Sequence, residues 1–282
     1  MSSALSLQQL ERYFARVGYD GAREPTLATL TALHRAHLLA IPYENLDIHL
    51  GRPLTLDRGA MFRKLVDERR GGWCYEMNGT LGQVLAAMGF DVRYVSGAVH
   101  RATRGDAALG NHLVLIVTLN RPWIVDVGFG DGFIEPLPLE PGRYRQGFLE
   151  YRVSVEGAWW RVANHAYGGA DGFDFTLEPQ VLETFAARCD ELQTSPESPF
   201  VQTTVCECFV PGGLVMLRGA VLREVTAAGI ATRTVQDAEE YMNVLRDRFA
   251  LDVPEMRALW PTVWARHLAW EAASRPSLSA GR

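Results

Sequence analysis

The spacing of apolar residues changes from a helical to a strand repeat near residue 90, and that change limits the folds open to this chain. Before it the repeat is helical. Leu7, Leu10, Phe14 and Val17 share one face, with Gly18 placed to stop the helix and Ser2, Ser3 or Ser6 placed to cap its start. Leu27, Leu30, Leu33, Leu38 and Ile41 form a second series, ended by Pro42. Asp57 can cap a third helix carrying Met61, Phe62 and Leu65, and a fourth runs from Cys74 through Leu81, Val84, Leu85 and Met88 to Gly89. From Val92 to about Phe175 the pattern is that of strands: Val92–Val99, Leu113–Leu119, Trp123–Val127, Tyr151–Val155, Trp159–Val162 and Phe173–Leu177, with a tight hairpin at Glu156-Gly157. That count predicts a barrel-like or sandwich region. A short helix over Val181–Leu192, strands at Thr203–Val210, Leu214–Arg218 and Val221–Val225, and helices at Val235–Phe249 and Pro254–Ala272 follow. Ser274–Arg282 reads as a polar, disordered tail. The class is α+β.

Composition removes several kinds of protein. The net charge of −5 lacks the basic excess of a general nucleic-acid binder. No apolar run approaches a membrane span, and the first residues have no signal-peptide core, so the expected location is the cytoplasm. Cys74, Cys189, Cys206 and Cys208 have no spacing that suggests a disulfide frame, which fits a reducing compartment. Cys206 and Cys208 fall on one face of a strand and read as packing. No partner ligands accompany them or His34, His37 and His49, so no metal is expected, and the three histidines read as surface or packing residues.

The chemistry concentrates in Arg69-Arg70-Gly71-Gly72-Trp73-Cys74-Tyr75-Glu76-Met77-Asn78. A cysteine at a helix start, behind two arginines, is placed where backbone N–H groups and cationic charge favour thiolate over thiol. Alone, Cys74 reads first as a small buried hydrophobe, the usual fate of a free cysteine. Downstream, His112 opens an apolar strand and Asp126 sits inside the next. A buried carboxylate needs a partner, and a hairpin would bring His112 within reach of Asp126. Cys74 would then attack, His112 would take its proton, and Asp126 would orient the imidazole. The bland alternatives are a satisfied core histidine and an aspartate capping the glycine-rich turn that follows it.

Four ordered segments resemble the arylamine N-acetyltransferase family. Ile41-Pro42-Tyr43-Glu44-Asn45-Leu46-Asp47 is similar to its Pro-Phe-Glu-Asn-Leu signature, and Arg70 through Asn78 to its Arg-Gly-Gly-x-Cys-x-Glu-x-Asn motif. His112 with its strand and Asp126-Val127-Gly128-Phe129-Gly130 resemble the two other triad segments. Leu192 to Phe200 resembles a further recurrent stretch. The resemblance implies a helical bundle (1–90), a central β-barrel carrying His112 and Asp126 (91–200) and a C-terminal α/β lid (201–282) around a cysteine-protease-like core.

The same resemblance implies ping-pong acetyl transfer from acetyl-CoA, through acetyl-Cys74, to an arylamine, arylhydrazine or N-hydroxyarylamine. It implies a pocket wall at Tyr43, Val99, Phe129 and Phe200, with Tyr43 departing from the usual phenylalanine, and CoA contacts along Gly128, Gly130 and Gly132. It also implies an Arg70–Glu76 pair and a turn fixed by Asn78, so that losing Arg70 costs folding as well as rate. Nucleic acid and membrane are not among the implied partners, and oligomeric state is left open. The rivals are a cysteine hydrolase of the transglutaminase or papain-like type, an amide synthase closing macrolactams, and a non-enzymatic binding module.

Overall fold

The computed structural model describes residues 5–274. Ser6 caps α1 (Leu7–Val17) in a capping box with Gln9, and Gly18 ends it at φ +65°. Ser2 and Ser3, and the tail beyond Ser274, lie outside the described residues. Thr26 caps α2 (Leu27–Ala40), after which Pro42 forces extended chain into the short strand β1 (Tyr43–Glu44) and the turn α3 (Leu46–His49). Asp57 accepts from the Ala60 N–H to open α4 (Arg58–Phe62), which continues into a wide π turn, Arg63–Asp67. Next comes α5 (Cys74–Ala87), buried on all sides from Cys74 to Leu85. Fully burying Leu81, Val84 and Leu85 contributes roughly 1.5–3 kcal/mol each.

Eight antiparallel strands follow in one barrel-like sheet: β2 (Asp91–Val99), then, after the turn α6 (Arg101–Arg104), β3 (His112–Thr118), β4 (Pro122–Val125), β5 (Leu137–Pro138), β6 (Gly142–Gln146), β7 (Leu149–Glu156), β8 (Trp159–Ala163) and β9 (Gly172–Gln180). Their spatial order is β5-β4-β3-β2-β9-β8-β7-β6, so β5 and β6 are edges that do not pair with each other. The expected hairpin at Gly157 is present, with Glu156 opposite Trp159 and Gly157 at φ +58°. Helices α7 (Ala186–Thr194) and α8 (Pro199–Gln202) lead to β10 (Val205–Val210), β11 (Gly213–Arg218), β12 (Val221–Thr226) and β13 (Gly229–Thr234). These four and β1 make a second sheet, ordered β1-β10-β11-β12-β13, covered by α9 (Ala238–Phe249) and α10 (Met256–Ser274). Cys206 and Cys208 pack into that second core.

The main core joins α1, α2 and α5 to the eight-stranded sheet, so the helices and the barrel-like sheet are stabilised by one set of apolar contacts. A smaller cluster containing Tyr43, Trp73, Cys74, Phe185 and Leu192 lies where helices and both sheets meet. Strands β6 and β13 lack a sequence signature for a plain reason. Both are terminal strands, β13 largely exposed and β6 half-buried, and neither needs an apolar face. Among the described residues no helix is long and apolar enough to cross a membrane.

The segment before Cys74 is held by buried charge rather than by apolar packing. Arg70 reaches Glu44 at 2.6 Å and Asp47 at 3.0 Å. Lys64, turned inward by the π turn, lies 2.9 Å from both Asp47 and Glu76. The expected Arg70–Glu76 pair is therefore absent. Glu76 is the third residue of α5, and its carboxylate bends back to the Trp73 N–H and to Lys64, while Arg70 faces the β1 segment. Burial works against the Lys64 ammonium, but Glu76, Glu44 and Asp47 hold its pKa above the ordinary lysine value. Gly71 and Gly72 run alongside β1, with the Glu44 N–H donating to Gly72 at 3.0 Å, and a side chain at 71 would strike the Pro42 carbonyl. Lys64→Met should thus strand two buried carboxylates and lower unfolding free energy by about 3–5 kcal/mol in urea titration. Arg143→Ala, which breaks an exposed pair with Glu150, should cost at most about 1 kcal/mol.

Candidate active site

Three backbone features bring the expected trio together. Cys74 is the first residue of α5 and is buried. His112 is the first residue of β3, opposite Gly97 of β2, where a bulge interrupts pairing with β9. Asp126 follows β4, which pairs with β3 as the predicted hairpin through Leu115 opposite Val125. His112 Nε2 lies 2.6 Å from Asp126 Oδ2, and both side chains are almost completely buried. A carboxylate only accepts, so Nε2 carries the hydrogen and Nδ1 is left for the thiol. Phe129 and Phe173 flank the imidazole at centroid distances of 5.4 and 4.9 Å.

The Asp126 carboxylate is sealed by donors. Oδ1 accepts from Asn78 Nδ2 at 2.7 Å and from the Gly128 N–H at 2.9 Å. Asn78, one turn along α5 from Cys74, also donates to the Leu113 carbonyl at 2.6 Å and accepts from the Val127 N–H at 2.8 Å. One side chain thereby ties the nucleophile helix to both triad strands, a larger task than fixing its own turn. Gly128 belongs here for steric reasons. A Cβ at that position would lie 2.7 Å from Cys74 Cα and 2.8 Å from Asn78 Nδ2.

His34, expected at the surface or in packing, instead supports the triad. The Asp126 N–H donates to its Nε2 at 3.2 Å, its Nδ1 meets the Ile134 carbonyl at 3.0 Å, and the ring stacks on Phe133. Burial lowers its pKa to about 4, leaving the neutral form that can accept a backbone N–H. Nothing in a helical His-x-x-His pattern distinguishes such a role, because the partner is 92 residues away.

The thiol itself departs from expectation. Burial pushes the Cys74 pKa up and the Asp126 charge adds to the rise, while backbone N–H groups of Leu113 and Tyr75 offset part of it. Neither neighbouring arginine assists: Arg70 is committed to Glu44 and Asp47, and Arg69 is exposed. A helix start alone does not make the thiolate here. The negative sulfur requires the proton to pass to His112, giving a thiolate–imidazolium pair.

Cys74 and His112 line a cleft of about 190 Å³ whose wall includes Tyr43, Val99, Phe129 and Phe200, the four residues expected there. Of the three loop glycines only Gly128 borders it; Gly130, at φ +80°, faces Glu207, and Gly132 packs on Phe129. Asp131 pins the loop by accepting from Asn164 at 3.0 Å and from the Gly169 N–H at 2.5 Å. Beside the cleft lies a wider cavity of about 380 Å³ bordered by Arg218, Arg223, Arg266 and Trp270. Gly169, Glu207 and Arg218 line both. No motif or spacing in the sequence marks any of those three.

A sulfur at a cleft, an imidazole behind it and a carboxylate shut away from solvent are the working parts of a cysteine-nucleophile enzyme. The N-acetyltransferase family model matches residues 26–258. The chain is 35% identical over 253 residues to the arylamine N-acetyltransferase of Mycolicibacterium smegmatis, covering 86% of this chain and 92% of that one. It is 34% identical over 239 residues to the pineal gland arylamine N-acetyltransferase isozyme NAT-10 of Gallus gallus, covering 76% and 82%. The solved structure of the Mycobacterium marinum arylamine N-acetyltransferase in complex with CoA superposes with a TM-score of 0.82 at 32% identity, over 91% of this chain and 97% of that one. The chain belongs to the arylamine N-acetyltransferase family.

His34 makes a testable contribution to stability. Its folded pKa lies below the unfolded value near 6.5, so its stabilisation is complete above pH 6.5 and is lost as pH falls towards 4. Between pH 7 and 5 that loss amounts to about 2 kcal/mol. Urea unfolding at the two pH values should show a fall in wild type that is smaller by this amount in His34→Gln; parallel pH dependences would contradict the assignment.

Proposed function

We propose that the chain is an acetyl-CoA-dependent arylamine N-acetyltransferase that works by ping-pong through an acetyl group on Cys74. The 2.6 Å His112–Asp126 contact, with Cys74 on the same cleft, is the observation that carries this reading. In the first half-reaction His112 Nδ1 takes the Sγ proton and the sulfur attacks the thioester carbonyl. The tetrahedral oxyanion forms near the Cys74 N–H, at the positive end of α5. CoA then departs with the proton from His112. One thioester replaces another, so this step demands positioning more than driving force.

In the second half-reaction the amine attacks the acetyl-cysteine, His112 accepts its proton, and collapse releases the amide and restores the sulfur. Hydrazines and N-hydroxyarylamines are the other proposed acceptors. The aromatic wall of Tyr43, Phe129 and Phe200 suits a flat ring. The wider cavity, with Arg218, Arg223 and Arg266 against the single carboxylate Glu207, suits the phosphates of CoA, whose pantetheine would pass Gly169 and Gly128 towards Cys74. The proposed setting is cytoplasmic.

Mixing the protein with acetyl-CoA should add one acetyl group to Cys74 in intact mass, and an arylamine should discharge it. Cys74→Ala should show neither. His112→Gln should lower kcat/KM for an aniline by about 10²–10⁴. A wild-type protein that never acquires the acetyl group, or an adduct that persists in Cys74→Ala, would overturn the reading.

A further inference from the structure

Seven carboxylates among the described residues are buried: Glu44, Asp47, Glu76, Asp126, Asp131, Asp174 and Glu207. Six are satisfied by cations or N–H donors from the protein. Glu207 is not. It sits in the middle of β10, opposite Tyr43 of β1 and Met216 of β11, and its carboxyl lies against Gly130. Its neighbours Cys206 and Cys208 point to the other face, into the core beneath α9 and α10. Its own side chain borders both cavities, is only 7% exposed, and has no hydrogen bond or ion pair from any described residue.

The other six buried carboxylates take their donors from the protein, whereas the Glu207 carboxyl can take one only from what enters the two cavities it borders. The cleft beside Cys74 is the side from which a ligand can supply what is missing. We infer that Glu207 is a specificity-determining residue of the acceptor site, selecting aromatic amines or hydrazines that carry a second, cationic N–H donor such as an amidinium. The inference rests on the acyl-transfer reading and narrows its acceptor class. Tyr43, directly across the strand pair, adds a phenol to the same face. Arg218 borders both cavities and forms no ion pair among the described residues, so it stays available to the phosphates proposed for the wider one.

The groups facing Glu207 set its protonation. Burial and the Asp131 charge push its pKa up to about 8, against the opposing Arg218 guanidinium. The Tyr43 phenol opposite it is held neutral, chiefly by burial. The free site at pH 7 therefore holds a protonated carboxyl, and an amidinium entering it ionises the group and expels close to one proton. At pH 9 the carboxylate already exists and binding expels none. Affinity for the cation should rise with pH up to about 8 and then level off.

Benzamidine, which has no amine to acetylate, tests the site without turnover. Titration calorimetry in two buffers of different ionisation enthalpy should give binding to wild type at pH 7 with release of close to one proton, and tighter binding at pH 9 with release of none. Glu207→Gln, which keeps size and removes the charge, should bind benzamidine at least tenfold more weakly and without proton release. In turnover, the ratio of kcat/KM for 4-aminobenzamidine over 4-methylaniline should fall at least tenfold in Glu207→Gln at pH 8. Benzamidine that does not bind wild type, or binds both proteins equally, overturns the inference whatever the catalytic result. Tight, Glu207-dependent binding in a protein that acetylates neither aniline would uphold the site and refute the acyl-transfer reading.

Discussion

The Asp126 carboxylate has exchanged water for three donors, and the catalytic geometry depends on that exchange. His112, Asn78 and the Gly128 N–H each supply one hydrogen bond, and each comes from a different part of the fold: β3, α5 and the loop after β4. Moving any one of these elements leaves a buried charge short of a partner, which costs several kcal/mol. The carboxylate thus registers helix against hairpin as well as orienting the imidazole. It also raises the cost of an unpaired thiolate at Cys74, so sulfur and imidazole must change charge together.

Much of this arrangement can be read from residues, and the limits have physical causes. Ser6 and Gly18 bound α1 because caps act within a few residues. An acidic residue in an apolar strand requires a partner, and a hairpin makes His112 the near candidate, so the trio was legible. The contacts of Arg70 were not. A turn that places Glu76 under Lys64 and Arg70 over Glu44 and Asp47 is decided by how β1 lies along the glycine pair, and no local pattern encodes that. His34 was missed because a buried neutral imidazole and a packing histidine look alike in sequence. Strands β6 and β13, at sheet edges, carry no apolar alternation to detect.

On the proposed reading, the residues that hold the triad and those that select the acceptor are different ones. Asn78, Gly128 and His34 hold Asp126 and the chain around it. Tyr43 and Glu207 face each other on β1 and β10 at the far wall, and the strand pair that holds them also brings the second sheet up to Cys74. Changes in that pair can alter what enters the cleft without disturbing the Asp126 contacts. The paired cavities meet at Gly169, Glu207 and Arg218, with Arg223 and Arg266 bordering the wider one and Tyr43, Phe129 and Phe200 the one beside Cys74.

In this site the Cys74 anion exists only as the partner of an imidazolium held by Asp126. Thiolate absorbance near 240 nm, followed from pH 5 to 9 in wild type and Asp126→Asn, measures it directly, with Cys74→Ala subtracted as background. Wild type should give a thiolate signal well below the pH at which a free thiol ionises, and Asp126→Asn should lose it. An unchanged titration in Asp126→Asn would contradict it.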